Sequence, residues 1–153
     1  MNRILSSQEA LPRIRAILEA GGTCVVTVTG TSMVPVLRHG KDQVLLAPLT
    51  GPVRRGDIVF YTRPTGQCVL HRVVRVLPQG GAVFLGDAQT VRELVSPGQF
   101  VGIVTRIRRS GREFPVTSLR WRLVSGIWMC LRPIRPALLA CIGRLASIKN
   151  RKN

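Results

Sequence analysis

A chain of 153 residues has room for one hydrophobic core and a short appendage. Its 45% hydrophobic content excludes an intrinsically disordered protein, because that much apolar surface offsets the entropy of folding. Lysine and arginine number 23 against 7 acidic residues, and the net charge of +16 favours polyanions: nucleic acid or the anionic face of a membrane.

In chain order, residues 1–22 read as a short N-terminal helix. Ser6-Ser7-Gln8-Glu9 has capping-box spacing, Pro12 suits a first helical turn, and Leu11, Ile14, Ile17 and Leu18 share a face. Gly21-Gly22 ends it. Its charges, from Arg3 to Glu19, leave no apolar core for a secretion signal.

Residues 23–112 read as all-β. Strands are predicted at 23–29, 44–47, 58–62, 68–77, 82–85 and 100–107, rich in Val, Ile, Leu, Phe and Thr and separated by Gly, Pro and Asp turns. No helical pattern intervenes, so the expected fold is a mainly β sandwich or barrel, not a parallel α/β sheet.

Residues 113–153 read as a basic amphipathic helical tail. Leu123, Ile127, Leu131, Ile134, Leu138, Ile142 and Leu145 cover an arc of roughly 100° on a helical wheel, with Arg122, Arg132 and Arg144 elsewhere. The prolines at 133 and 136 are expected to kink or break this helix. Two readings fit: a helical cap or partner-binding helix, and a segment lying on a membrane surface. A spanning helix is not expected, because Arg132 and Arg135 interrupt the tail and residues 20–37 carry Gly21, Gly22, Gly30 and Pro35.

Cys24, Cys68, Cys130 and Cys141 form no CxxC pair and no Cys/His cluster with zinc spacing. Reduced thiols are expected, and no metal or other cofactor.

The chemistry concentrates at Thr29-Gly30-Thr31-Ser32-Met33-Val34-Pro35, after a strand. A serine nucleophile needs a tight turn that exposes its hydroxyl and frees nearby backbone N–H groups for the oxyanion, which Gly before and Pro after can build. It also needs a base. The three lysines, Lys41, Lys149 and Lys152, lie in a turn and the terminal tail, so a buried neutral lysine is not expected. His71 lies within the strand-like Val69-Leu70-His71-Arg72-Val73-Val74, where a rigid element can aim it, and an ordinary pKa near 6.5 suits a general base. His39, among the charges of Arg38-His39-Gly40-Lys41-Asp42, is set aside. Asp42 and Asp57 sit in turn contexts where Asp caps backbone amides. Asp87, at a strand end, is the expected acid to orient the base, with a turn-capping role as the alternative.

Taken together, Gly30-Thr31-Ser32-Met33-Val34-Pro35, Gly56-Asp57-Ile58-Val59, Val69-Leu70-His71-Arg72-Val73, Gly86-Asp87 and Val101-Gly102 resemble the signal peptidase I family. The likeness is to the endoplasmic-reticulum and SipW-like branch, in which histidine replaces the lysine base. It runs from about Thr23 to Thr105. LexA-type self-cleaving repressors share the Ser-Met segment but use lysine. The resemblance implies a mostly β serine endopeptidase with Ser32 as nucleophile, His71 as general base and Asp87 as acid partner. A second acid follows the Gly-Asp motif in that branch, and Glu93 stands near that place, so the acid that orients His71 is open between the two. Met33 and the strand before Ser32 would line a cleft for small residues beside the scissile bond, the substrate pairing as an added strand.

Three features depart from the family pattern. The turn Gly40-Lys41-Asp42 is one residue longer than usual, and Gly30 stands where many relatives carry a hydroxyl that supports the oxyanion. An N-terminal membrane anchor is not expected. The substrate is then a leader or precursor peptide cut after small residues, by an enzyme resting peripherally on a membrane through its C-terminal segment or free in the cytoplasm. The competing reading is a catalytically degenerate basic module for anionic lipid or nucleic acid. Nucleic acid is disfavoured because Arg106-Ile107-Arg108-Arg109-Ser110-Gly111-Arg112 has no aromatic residues for base stacking.

Overall fold

The computed structural model describes residues 7–135, 137 and 140. Helix α1 (Ser7–Glu19) is followed by strands β1 (Cys24–Thr27), β2 (Asp42–Ala47), β3 (Ile58–Thr62), β4 (Cys68–Val76), β5 (Ala82–Leu85), β6 (Glu93–Val95), β7 (Phe100–Arg109) and β8 (Arg112–Pro115), then helix α2 (Leu119–Cys130). The strands form one antiparallel sheet in the order β1-β2-β7-β3-β4-β5-β6. The ten-residue β7 is its spine: β2 pairs along most of its length, while β3 and β8 take its first and second halves. The chain is thus mainly β, as expected.

Both faces of the sheet are covered, which is why β3 shows no polar alternation. Ile58 and Phe60 enter one core with Met33, Leu37, Leu46 and Ile107, while Val59 and Tyr61 enter a second with Val69, Val73, Phe84 and Val95. Helix α1 packs on the first core through Ile14 and Leu18. Leu18 lies over Gly102 of β7, where a Cβ would stand 2.8 Å from its methyl and 3.2 Å from the Ala47 carbonyl oxygen.

Several expectations shift. Pro12 falls in the second turn of α1, and Ile17 faces outward. The Ser6 cap lies outside the described residues. Strands β6 and β8 were not expected. The run that reads as a charged surface continues into a hairpin whose two turn residues, Ser110 and Gly111, both have positive φ, the geometry that matches strand twist. The boundary at 112 therefore falls inside the sheet, and Arg106 and Arg108 both pair with Glu113.

Helix α2 starts at Ser118, whose hydroxyl accepts from the Trp121 N–H, and ends before Pro133 as its ring requires. Trp121 and Trp128 enter the first core, so the described part of the tail caps the β-domain. Its two faces are unlike. Trp121, Ser125 and Trp128 point inward, while Leu123, Ile127 and Ile134 of the apolar stripe are more than half exposed. Leu138, Ile142, Leu145 and Arg144 lie outside the described residues.

Candidate active site

Ser32 is carried on the loop between β1 and β2, and that loop is tied at several points. Gly40 N–H donates to the Val28 carbonyl (2.8 Å) and Val28 N–H to that of Asp42 (2.9 Å). Gly30 N–H donates to His39 Nδ1 (2.9 Å), so the histidine set aside as a base braces the loop instead. Asp42, fully buried, accepts from Arg38 and Arg109, and Arg109 also donates to the Val36 carbonyl (2.7 Å). Burial alone would raise the Asp42 pKa, but hydrogen bonds from the two guanidinium groups pull it down to about 2. Inside the loop Met33, Val36 and Leu37 are buried. Met33 therefore belongs to the core, not to an open cleft wall.

The far anchor of the loop is the turn after β5. Ala88 N–H donates to the Ser32 carbonyl at 2.7 Å, and a Cβ on Gly86 would stand 2.8 Å from that oxygen. Glycine is required here by close approach. Arg72 of β4 pairs with Leu85 of β5, the residue before Gly86, so this turn leaves the sheet from the strand next to β4. The Ser32 loop is thus held by the turn that follows β5, the strand paired with the one that carries His71.

His71 is 1% exposed. Its Nδ1 lies 3.1 Å from the Tyr61 hydroxyl and 3.3 Å from Glu93 Oε1, and the Tyr61 ring meets the imidazole edge-on. Glu93, the first residue of β6, also accepts from Arg63 Nε at 2.8 Å. Burial pushes the His71 pKa below its ordinary value; the Glu93 charge opposes this, while the Arg63 charge adds to it. The Arg63 hydrogen bonds hold Glu93 below the usual carboxylate range, against burial. Burial, and then the Glu93 charge, raise the Tyr61 phenol. The site at neutral pH therefore holds a neutral imidazole, an ionised Glu93 and a neutral Tyr61.

Asp87, the expected orienting acid, is committed elsewhere. Its carboxylate accepts from Arg72 Nε (2.9 Å) and Nη2 (2.7 Å) in a bidentate pair, both residues 1% exposed. His71 and Arg72 are consecutive on β4 and so face opposite sides of the sheet: the imidazole meets Tyr61 and Glu93, the guanidinium meets Asp87 and α2. Of the two acids left open by the sequence, Glu93 is the one at the ring nitrogen. Tyr61 had no sequence signal. Asp57 plays its expected turn role, accepting from Arg54 N–H at 2.7 Å.

In comparisons with known proteins, the chain matches no family model and no curated sequence.

Proposed function

We propose that this chain is a serine endopeptidase on a signal-peptidase or LexA-like β-fold, cutting a leader or precursor peptide after small residues. The observation that carries the reading is the state of His71: its Nδ1 is held by Glu93 and Tyr61, and the loop of Ser32 is docked on the turn beside it. With Nδ1–H donated to Glu93, Nε2 is left as the lone-pair nitrogen. That nitrogen takes the Ser32 hydroxyl proton as Oγ adds to the scissile carbonyl. The tetrahedral oxyanion is stabilised by backbone N–H groups of the loop, the Ser32 amide among them. His71 then returns the proton to the leaving amine, and the acyl-Ser32 ester is hydrolysed by a water that the same imidazole deprotonates. Glu93 orients the base; Asp87 does not. Strand β1, at the edge of the sheet and leading into the loop, offers the free backbone on which an extended substrate adds as a strand.

The test is the pH dependence of kcat/KM on a fluorogenic peptide with Ala-x-Ala before the scissile bond. Because burial lowers the His71 pKa, the rate should be flat at neutral pH and fall, as pH drops, through a midpoint below 6.5. Glu93 supports the protonated imidazole, so Glu93→Gln should move the midpoint lower still and reduce the plateau, by between tenfold and the roughly 10⁴-fold loss that follows removal of a triad acid. Asp87→Asn should move the midpoint less, because Arg72 balances that carboxylate. A larger shift from Asp87→Asn than from Glu93→Gln would restore Asp87 as the orienting acid.

We place the enzyme peripherally on an anionic membrane. Leu119, Leu123, Val124, Ile127 and Ile134 expose half or more of their surface on the outer side of α2 and the turn after it, Arg120 and Arg122 flank them, and α2 has no acidic residue. Among the described residues no helix is long and apolar enough to cross a membrane. The full chain should sediment with phosphatidylglycerol vesicles and the Leu123→Glu/Ile127→Glu variant should not. Equal pelleting of both would exclude α2 from membrane contact.

A further inference from the structure

The inner face of α2 carries a set of buried contacts that fold stability alone does not call for. Arg72 Nη1 donates both to the Ser125 hydroxyl and to the Gly56 carbonyl, each at 3.1 Å, while its other nitrogens hold Asp87. Trp128 Nε1–H donates to the Asp87 carbonyl at 3.2 Å. Arg135 in turn donates to the Trp128 carbonyl (Nε, 3.0 Å), with its guanidinium 5.0 Å from the indole centroid. Two links away, the amide after Asp87 is the Ala88 N–H that grips the Ser32 carbonyl. The residue before Arg72 is His71. The helix therefore reaches both halves of the site through one ion pair, by contacts that span 41 residues (Trp128 to Asp87) and 53 residues (Ser125 to Arg72).

Burying an ion pair costs desolvation energy on both partners, and well-packed apolar residues of similar volume are often as stable. What the pair adds here is geometry: directional bonds that fix the Gly86–Ala88 turn against β4. We propose that α2 is a positioning element of the site, with Ser125 and Trp128 holding the Arg72–Asp87 pair so that the turn under Ser32 stays in register with His71. The proposal rests on the Ser32–His71 reading for its catalytic consequence, but not for its structural one. Ser125 and Trp128 are both buried, so their role is positioning.

The experiment uses the full chain and two conservative variants. Trp128→Phe keeps an aromatic ring and loses the indole N–H; Ser125→Ala removes one hydroxyl and guards against a folding failure of the first. Amide hydrogen exchange at Ala88 should quicken at least tenfold in both, with exchange at Val59 and Phe60 in β3 unchanged. On the Ala-x-Ala peptide, kcat should fall about ten- to a hundredfold with KM nearly constant, as expected for a small misplacement of the nucleophile. The pH midpoint should stay where it is, since Tyr61, His71 and Glu93 are untouched. Arg13→Ala, on the exposed side of α1, should change neither readout. Unchanged exchange at Ala88, or exchange that rises equally throughout the sheet, would overturn the proposal. A wild-type chain that cleaves no peptide would remove the peptidase reading while Ala88 exchange still decides the role of α2.

Discussion

His71→Gln is expected to lower kcat/KM on an Ala-x-Ala peptide by roughly 10² to 10⁴, the usual contribution of a positioned general base. The glutamine amide can fill the space between β3 and β5 but cannot take a proton, so Ser32 would have to lose its own to water. The variant should also lose the acid limb of the pH profile, because the group that titrates it is gone. The glutamine amide keeps a polar group near the Tyr61 hydroxyl, and Glu93 stays paired with Arg63, so the fold should survive. Thermal denaturation of the variant alongside the kinetics separates a lost base from a lost fold. A variant that keeps wild-type kcat/KM would remove His71 from the chemistry.

The second large effect is on stability. Arg72→Met should destabilise the protein by about 3–5 kcal/mol, because among the described residues it leaves the Asp87 carboxylate, 1% exposed, with Arg135 Nη1 at 3.9 Å as its remaining cationic neighbour. Domains of this size are stable by roughly 5–15 kcal/mol, so the variant should melt well below the wild type and sit near the edge of folding. Arg72→Met/Asp87→Leu should recover a large part of the loss, since it removes both charges instead of stranding one. The recovered protein should nonetheless cleave poorly if the pair exists for geometry. A single variant as stable as the wild type by thermal denaturation would show that the pair bears no structural load.

How far the sequence reaches is clearest strand by strand. The ends of β3 and β5 agree with expectation because glycines bound them: Gly56-Asp57 before Ile58, and Gly80-Gly81 and Gly86 around Ala82–Leu85. Strand β6 was illegible because it is three residues long and opens on a glutamate. Strand β8 carries Arg112, Glu113 and Pro115 and owes its form to pairing with β7, not to its own propensity. In α2 the apolar spacing marked a helix, but which face is buried was not legible: Trp121 and Trp128 pack on the core while Leu123 and Ile127 of the stripe stay exposed.

The candidate site divides in the same way. The loop at Ser32 was legible from its glycine and proline, and the strand that carries His71 from its β-branched run. The partner of His71 was not, because Glu93 reaches the ring only after β5 and β6 fold back across β4. Arg72 read as one more basic residue in a chain that has 23, and nothing local shows that it is buried. Long-range pairing, not local propensity, decides which acid meets which base.

The most direct measurement is to mix the protein with an activated ester of an acetylated Ala-x-Ala peptide, quench in acid within one turnover, and locate the acyl group by mass spectrometry. Acylation of Ser32 in the wild type, slowed by His71→Gln and absent from Ser32→Ala, is the expected result. An acyl group on another residue, or hydrolysis of the ester that continues undiminished in Ser32→Ala, would contradict it.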